Sequence, residues 1–404
     1  MNNWPKNITI LATKVLRSTN PIYTLEKYMD MDIDGKITFL LFDGKPTNNF
    51  KSIDYNFSQN NYSIIKLWNY ENMCIINSKM FINRKSDIIY TPIQHYLNLD
   101  SNIVSLFPQL LEKNKIDDGF FSLLEYIKKN KIKLSLSPYV FEDSLNSSGM
   151  RNKNKAYKCL LAFFAFDRIQ LDELNSLPLI SNNEDFLLAD RVWLEMTHSK
   201  TYNRENLEQI LTIYCLILKT YIIEYTDRKN KSKMDSKKKL KYLISFINNE
   251  LGIYLEYITL LSYWYFDQTY DCVTHFFQKI QPNTCNKLKK IETMVWDLFH
   301  FLNIPNEMAI LSQEKNYTVI NDFVSHDKYL SEIIQLNPIS RIALYKDKAQ
   351  IVFSKKIFDY IDDYEIFEMF ANHVDYRKNV YKPVNLSQLS NTLENELLTL
   401  LDSF

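Results

Sequence analysis

The stretch Tyr96-Leu97-Asn98-Leu99-Asp100-Ser101-Asn102-Ile103-Val104 decides the fold that the sequence predicts. An apolar run ends in an acid, and two small polar residues lead directly into a second apolar run. This order predicts a buried strand over 94–99 whose chain turns at Asp100 into a helix over 102–113. Open α/β sheets place their ligands at the carboxyl ends of such strands, so we expect Asp100 to lie in a functional cleft.

Three further acids stand in comparable contexts, and they are Glu142, Asp297 and Asp327. Glu142 lies in the first turns of a helix after an alternating strand, Asp297 lies on an otherwise apolar helix, and Asp327 separates a strand from a helix. Carboxylates gathered in one cleft repel each other unless a cation neutralises them. The sequence therefore predicts a hard divalent cation with oxygen ligands, Mg²⁺ or Mn²⁺.

The order of these motifs resembles that of the PIN-like nucleases. The resemblance rests on Asp100 with Asn102, on Glu142, on Asp297, and on Asp327 after Ser325. It covers about 89–146 and 288–355, roughly a third of the chain. Glu142 and Asp297 are 155 positions apart, which departs from the family pattern, and a helical insertion would explain this separation, since the ends of an insertion can lie close together.

This resemblance implies a PIN-like parallel sheet flanked by helices and a metal-dependent endonuclease, more often a ribonuclease than a deoxyribonuclease. The four acids would bind Mg²⁺ or Mn²⁺, which would activate a water and stabilise charge on the scissile phosphate. Groups expected to orient the acids or to lie close to them are Asn102, Asp143, Ser325, His300 and His326. A role as a toxin or phage-defence effector follows from the family alone.

Each acid also has a purely structural interpretation. Asp100 and Asp327 could cap the helices that follow them, and Glu142 could be a first-turn acid favoured by the helix dipole. Asp43 and Asp54 are alternative first acids. If the acids do not converge, the protein is a non-catalytic interaction protein with a PIN-like fold, or a nucleic-acid-binding protein without hydrolytic activity.

The hydropathy pattern predicts five segments along the chain. They are an N-terminal mixed α/β lobe over 1–88, the first half of the PIN-like core over 89–150, a helical insertion over 151–287, the second half of the core over 288–355, and a C-terminal helical segment over 356–404. A protein partner could bind the helical insertion.

Composition narrows the class of protein further. Lys and Arg number 48 and Asp and Glu number 48, so net charge alone indicates no polyanionic partner. Only 5 glycines occur, which argues against a glycine-rich phosphate loop. The five cysteines are widely spaced, which favours buried thiols in a reducing compartment. With neither a signal peptide pattern nor a predicted membrane span, we expect a cytoplasmic protein without a membrane partner.

A basic run at 228–241 is the strongest local charge feature. Its candidate phosphate contacts are Lys229, Lys231, Lys233, Lys237, Lys238 and Lys239. The alternative interpretation is a solvated linker that contacts nothing. The sequence thus predicts a nuclease whose partner is RNA, with this run as a second nucleic-acid contact.

Overall fold

The computed structural model describes residues 4–28, 37–43, 57–59, 62–68, 73–77, 92–112, 116–136, 139, 142, 150–198, 200–314, 317–371 and 384–404. The chain folds into two compact units, and neither is continuous in sequence. The first comprises residues 1–198 and 300–354, and the second comprises residues 199–299 and 355–404.

The first unit contains both helices and strands, whereas the described part of the second unit is helical. The strands are β1 Ile37–Leu41, β2 Ser58–Gln59, β3 Tyr62–Ile65, β4 Cys74–Asn77, β5 Ile93–Leu99, β6 Lys133–Ser135, β7 Thr318–Ser325, β8 Ile339–Tyr345 and β9 Lys348–Phe353. The α-helices are α1 Lys6–Arg17, α2 Pro21–Lys27, α3 Ser101–Val104, α4 Asp118–Lys129, α5 Met150–Arg168, α6 Asn183–His198, α7 Lys200–Asn230, α8 Ser236–Phe246, α9 Glu256–Asp267, α10 Asp271–Phe277, α11 Lys287–Glu314, α12 Lys328–Leu336 and α13 Leu386–Leu401.

The first unit contains two sheets, each described by its own strand order. One sheet has the order β4-β1-β8-β9, and all its described pairings are antiparallel. The other has the order β2-β3-β7-β5-β6, in which β5 is parallel to both β6 and β7. The expectation of a mixed α/β protein is confirmed, with parallel and antiparallel strands together in the second sheet.

The sheet that contains β5 is covered on both faces, and both faces carry buried polar side chains. Leu97, Leu99 and Val324 lie in a hydrophobic core that also contains residues of α3, α4 and α5, and His95 and Asp322, 3.0 Å apart, lie on the same face. Because side chains alternate along a strand, Asn98 points to the other face, where Ser135 is its cross-strand neighbour. There Ser135 donates a hydrogen bond to Glu307 of α11, so α11 lies against this face.

The antiparallel sheet holds its own core against the N-terminal helices. Residues of α1 and α2 pack with β1, β4 and β8 in one buried cluster. Asp43 follows β1 and accepts two hydrogen bonds from Arg341, both at 2.9 Å, while Arg341 also donates to the carbonyl oxygens of Leu16 and Ser18 at the end of α1. Asp43 therefore links the end of β1 to β8, and Asp54 lies outside the described residues.

The second unit is organised around α7. Tyr221 and Tyr225 of α7 donate to the carbonyl oxygens of Phe277 and Ile280 at 2.7 and 2.8 Å, and Thr220 lies 2.8 Å from the Ser262 hydroxyl of α9. Within α7 the segment Glu205–Asn230 is long and apolar enough to cross a membrane. Its most apolar window of 18 residues has a mean hydropathy of 1.2, yet 72% of that window is buried inside the protein. It is the one such segment among the described helices.

Two predicted helices are interrupted in the structure. The helix expected over 102–113 is a short helix, α3, followed by a 3₁₀ turn at Phe107–Leu111, where Pro108 occupies the first turn. Within the helical insertion the hydropathy pattern also predicts a single helix over 253–280, which the structure divides into α9 and α10, because Gln268 adopts a left-handed conformation with φ of 53° and ends α9. All five cysteines are free thiols, and three of them are buried.

Candidate functional site

The strand order places β5 at the centre of three parallel strands. After β5 the chain leads to β6 on one side, and β7 is hydrogen-bonded on the other side. The carboxyl ends of β5 and β7 therefore meet at a topological switch point, the usual position of ligand-binding crevices in open α/β sheets. Leu99 pairs with Val324, so Asp100 and Ser325 leave the sheet side by side.

Asp100 lies at this edge with no solvent exposure. Its backbone N–H donates to the carbonyl oxygen of Val324 at 2.9 Å, which fixes the turn into α3. The hydroxyl of Ser325 donates to Asp100 Oδ2 at 2.7 Å, and the amide of Asn102 donates to the same oxygen at 3.4 Å. All these side-chain donors are neutral, so the carboxylate is solvated by dipoles rather than by a cation.

Burial raises the pKa of Asp100, and the nearby negative charge of Asp327 raises it further. Hydrogen bonds from Ser325, Asn102 and Ser101 lower the pKa, but the balance leaves it above the usual value for an aspartic acid. The charged form of Asp100 is thus destabilised, which is the condition that a bound cation relieves.

Asp327 occupies the position that the sequence predicts and also caps a helix. Its Oδ1 accepts hydrogen bonds from the backbone N–H groups of Tyr329 and Leu330 at 2.9 and 3.1 Å, at the start of α12. Its own N–H donates to the Ser325 hydroxyl at 3.0 Å. Ser325 thus bridges the two acids, and the capping role of Asp327 coexists with its position beside Asp100.

Glu142 lies near another predicted residue, His300. The distance between Glu142 Oε2 and His300 Nε2 is 3.6 Å. Burial lowers the pKa of His300 to about 3, so its imidazole is neutral at neutral pH and the contact is not an ion pair. Asp143 lies outside the described residues, and His326 is exposed with its ring 4.9 Å from that of Tyr62.

Asp297 belongs to the second unit, where it is buried on α11 with 6% exposure. The structure thus brings Asp100 and Asp327 together, with Asn102 and Ser325, and sets Glu142 beside His300. Among the residues that the structure describes, no group of three or more His, Cys, Asp or Glu side chains is placed to hold a metal ion.

The sequence reasoning missed a buried polar seam next to this edge, formed by Asn98, Asn321, Ser135 and Glu307. The seam lies between α11 and the face of the sheet that bears Asn98. Ser135 donates to Glu307 at 3.2 Å, whereas the side chains of Asn98 and Asn321, both without exposure, have no hydrogen-bond partner in the described part of the chain. Each buried polar group left unpaired costs about 1–3 kcal/mol.

One sequence signal could have revealed the seam. α11 is largely apolar but carries His300, Asn303 and Glu307 at helical spacing on one face, and all three are buried. Polar residues at this spacing on a buried helix predict a polar counterpart, because an apolar neighbour would leave their hydrogen bonds unmet. The counterpart is the row of polar strand residues.

The candidate lysines of the basic run separate into two groups. Five are exposed, and they are Lys229, Lys231, Lys233, Lys237 and Lys238. Lys239 differs because it is buried, with its ammonium 2.8 Å from both Glu224 and Asp227. A side chain held between two carboxylates is not available to a phosphate, so the structure assigns Lys239 a structural role.

The donor set at the Asp100 edge has the chemistry that a hard divalent cation needs. Mg²⁺ is usually held by one or two carboxylates and retains several waters, so Asp100 and Asp327 would supply the charge. The Ser325 hydroxyl and the Asn102 amide nitrogen donate to Asp100 and would orient its carboxylate. No family model, no curated protein and no solved structure matches this chain.

Proposed function

We propose that this protein is a metal-dependent nuclease whose centre is Asp100. The observation that carries the proposal is a fully buried aspartate with a raised pKa at the carboxyl end of the central parallel strand, beside a second acid. Asp100 occupies the N-cap position of α3, but its side chain makes no capping hydrogen bond there, so helix capping does not account for its burial. Asp100 lies at a topological switch point, next to the buried amides of Asn98 and Asn321 whose hydrogen bonds are unmet in the described part of the chain, and this position supports a binding role.

Asp100 and Asp327 would hold Mg²⁺ or Mn²⁺, which when bound supplies an activated water and neutralises charge on the phosphate. Ser325 keeps the Asp100 carboxylate oriented through its 2.7 Å hydrogen bond and receives the backbone N–H of Asp327. Asn102 fixes the same oxygen from the start of α3. The choice of RNA over DNA, and a role in defence or as a toxin, rest on the PIN-like resemblance alone.

The test measures cleavage of fluorogenic RNA and DNA by the full-length protein with Mn²⁺ or Mg²⁺. Asp100→Asn should lower the cleavage rate by at least about a hundredfold, since the metal contributes several kcal/mol of transition-state stabilisation. Asp327→Asn should also lower it while preserving the helix cap, because asparagine caps as well as aspartate. Asp43→Asn is the matched control, an exposed strand-end acid paired with Arg341.

A second readout does not depend on turnover. Mn²⁺ should raise the melting temperature of the wild type and of Asp43→Asn but not that of Asp100→Asn, because a ligand that binds only the folded state stabilises it. Cleavage that survives in Asp100→Asn would refute this site. Absence of both cleavage and metal-induced stabilisation in the folded wild type would favour the alternative, a non-catalytic interaction or nucleic-acid-binding protein.

A further inference from the structure

The loop that joins α7 to α8 and the helix ends that flank it carry five exposed lysines. We call residues 229–238 the lysine loop; its lysines are Lys229 in the last turn of α7, Lys231 and Lys233 between the helices, and Lys237 and Lys238 in the first turn of α8. Asp227, just before it, accepts hydrogen bonds from the Ser232 hydroxyl at 2.6 Å and from the backbone N–H of Met234 at 2.9 Å. Lys239, just after it, contacts Asp227 and Glu224 at 2.8 Å. Both ends of the loop are thus fixed to the same buried carboxylates.

Two of the lysines occupy positions where lysine is not the favoured residue. Lys231 and Lys233 have φ angles of 51° and 49°, in the left-handed region. Glycine or asparagine adopts this conformation at lower cost. Lys131 and Lys346 adopt the same conformation elsewhere in the chain. What distinguishes the lysine loop is the set of hydrogen bonds to Asp227 that holds its backbone in place.

Lysines outnumber acids in the described residues 229–238. Asp235 is the one acid within the loop, and its Oδ1 caps α8 by accepting from the backbone N–H of Lys238 at 2.7 Å. Asp267 of α9 is a second acid close by, since its Oδ1 accepts a hydrogen bond from the Ser236 hydroxyl at 2.6 Å. Arg228 and Lys241, which flank the loop, are already paired with Glu224 and with Asp363 and Glu365. The loop therefore presents a cluster of cations on a preordered backbone, which suits a row of phosphates.

An exposed aromatic ring stands beside the lysines. Tyr242 lies one helical turn after Lys238 on α8 and is 51% exposed, whereas Leu240, Leu243 and Ile244 of the same helix are buried. Single-stranded nucleic acids bind where cations contact the backbone and aromatic rings stack on bases, and bases can stack on protein only when they are unpaired.

We infer that the lysine loop and Tyr242 form a binding surface for single-stranded nucleic acid on the second unit. The inference deepens the proposed function, because it names where a nucleic-acid substrate is held, but it does not depend on hydrolysis. An anionic membrane surface fits less well. Tyr242 is the one large exposed hydrophobic side chain among the described residues 229–246, and membrane-binding helices need an apolar face.

The test measures binding of fluorescent polyuridine and polythymidine strands to the full-length protein by anisotropy, with EDTA present and at several salt concentrations. The triple variant Lys231→Asn/Lys233→Asn/Lys238→Gln removes three positive charges, and asparagine tolerates the left-handed conformation at positions 231 and 233. It should weaken binding about tenfold or more and reduce the salt slope by about 0.7 for each lysine that contacts a phosphate. The matched control is Lys287→Gln/Lys289→Gln/Lys290→Gln on α11, which should bind like the wild type.

Tyr242 tests the single-strand part of the inference. Tyr242→Ala should weaken binding about fivefold or more, whereas Tyr242→Phe should bind like the wild type, because stacking needs the ring and not the hydroxyl. A duplex competitor should displace the strand poorly. Equal weakening by the two triple variants, or tighter binding to vesicles that contain phosphatidylserine than to either strand, would overturn the inference.

The binding assay also separates this inference from the proposed nuclease. Asp100→Asn should bind the strands like the wild type, since Asp100 lies in the other unit and EDTA removes the metal. Binding that depends on the lysine loop without any cleavage supports the inference and refutes the nuclease. Cleavage that depends on Asp100, with strand binding unchanged in the lysine variant, supports the nuclease and refutes the inference.

Discussion

Asp100 in the first unit and Asp227 in the second are both buried acids, but their surroundings shift their pKa values in opposite directions. Burial raises the pKa of Asp100, and only neutral donors and the repelling charge of Asp327 accompany it. Burial would also raise the pKa of Asp227, but hydrogen bonds from Lys239, Ser232 and Met234 outweigh it and lower the pKa to about 2.

The difference shows what each acid does for the molecule. Asp227 has a cation and several donors within hydrogen-bond distance, so its charge stabilises the fold and fixes the lysine loop. Asp100 has only neutral hydrogen-bond donors among the described residues, and burial raises its pKa, so this group lowers stability at neutral pH. Proteins retain such groups where activity needs them, which is why stability and activity often conflict at functional sites.

Removing the cation from the second unit should produce the largest effect. Lys239→Met leaves Glu224 and Asp227 buried without the ammonium between them, and breaking a buried pair in this way costs about 3–5 kcal/mol. The measurement is the free energy of unfolding in urea. Lys238→Met, an exposed neighbour, should change it by no more than about 0.5 kcal/mol. Equal effects of the two variants would mean that the network around Asp227 contributes nothing.

Asp227→Asn should have a smaller effect with a characteristic pH dependence. The pKa of Asp227 is lowered from 3.8 to about 2, so its contribution is fully present above the unfolded value and is lost as the pH falls from about 4 to about 2. At neutral pH the variant should be less stable by about 2 kcal/mol. Thermal unfolding across this pH range checks both statements, with Asp235→Asn as the control because asparagine preserves that helix cap.

Asp100→Asn should have the smallest effect on stability, and its sign is reversed. The pKa of Asp100 is raised, so the folded state favours the protonated form, and the wild type loses stability relative to the variant as the pH rises above about 4. At neutral pH and without divalent cations, the variant should be more stable by about 1 kcal/mol. A variant that is less stable than the wild type at neutral pH would show that Asp100 is a structural acid like Asp227.

Local sequence patterns predicted the elements that position the candidate site. The buried run before Asp100 is β5, and the run before Ser325 is β7, followed by α12 with Asp327 as its N-cap. These elements follow from hydrophobic periodicity and capping, which act over a few residues. The PIN-like topology and the nuclease activity stay predictions.

What the sequence could not predict depends on partners distant in the chain. The burial of Lys239 is set by Glu224 and Asp227 one helix earlier, and a run of lysines gives no sign that one of them faces inward. The unpaired amides of Asn98 and Asn321 follow from which helix covers that face of the sheet. The pairing of β1 with β8 joins strands from nearly opposite ends of the chain, which no local pattern encodes.

The hydrogen bond between Ser325 and Asp100 spans 225 residues, and this has a consequence for synthesis on the ribosome. Because translation delivers β5 long before β7, the parallel pair that creates the candidate centre cannot form until residue 325 has left the ribosome. The second unit likewise awaits α13. Contacts of such high sequence separation predict slow folding. The nascent chain therefore has no assembled Asp100 centre until β7 has been made, so a nuclease built in this way would stay inactive up to that point.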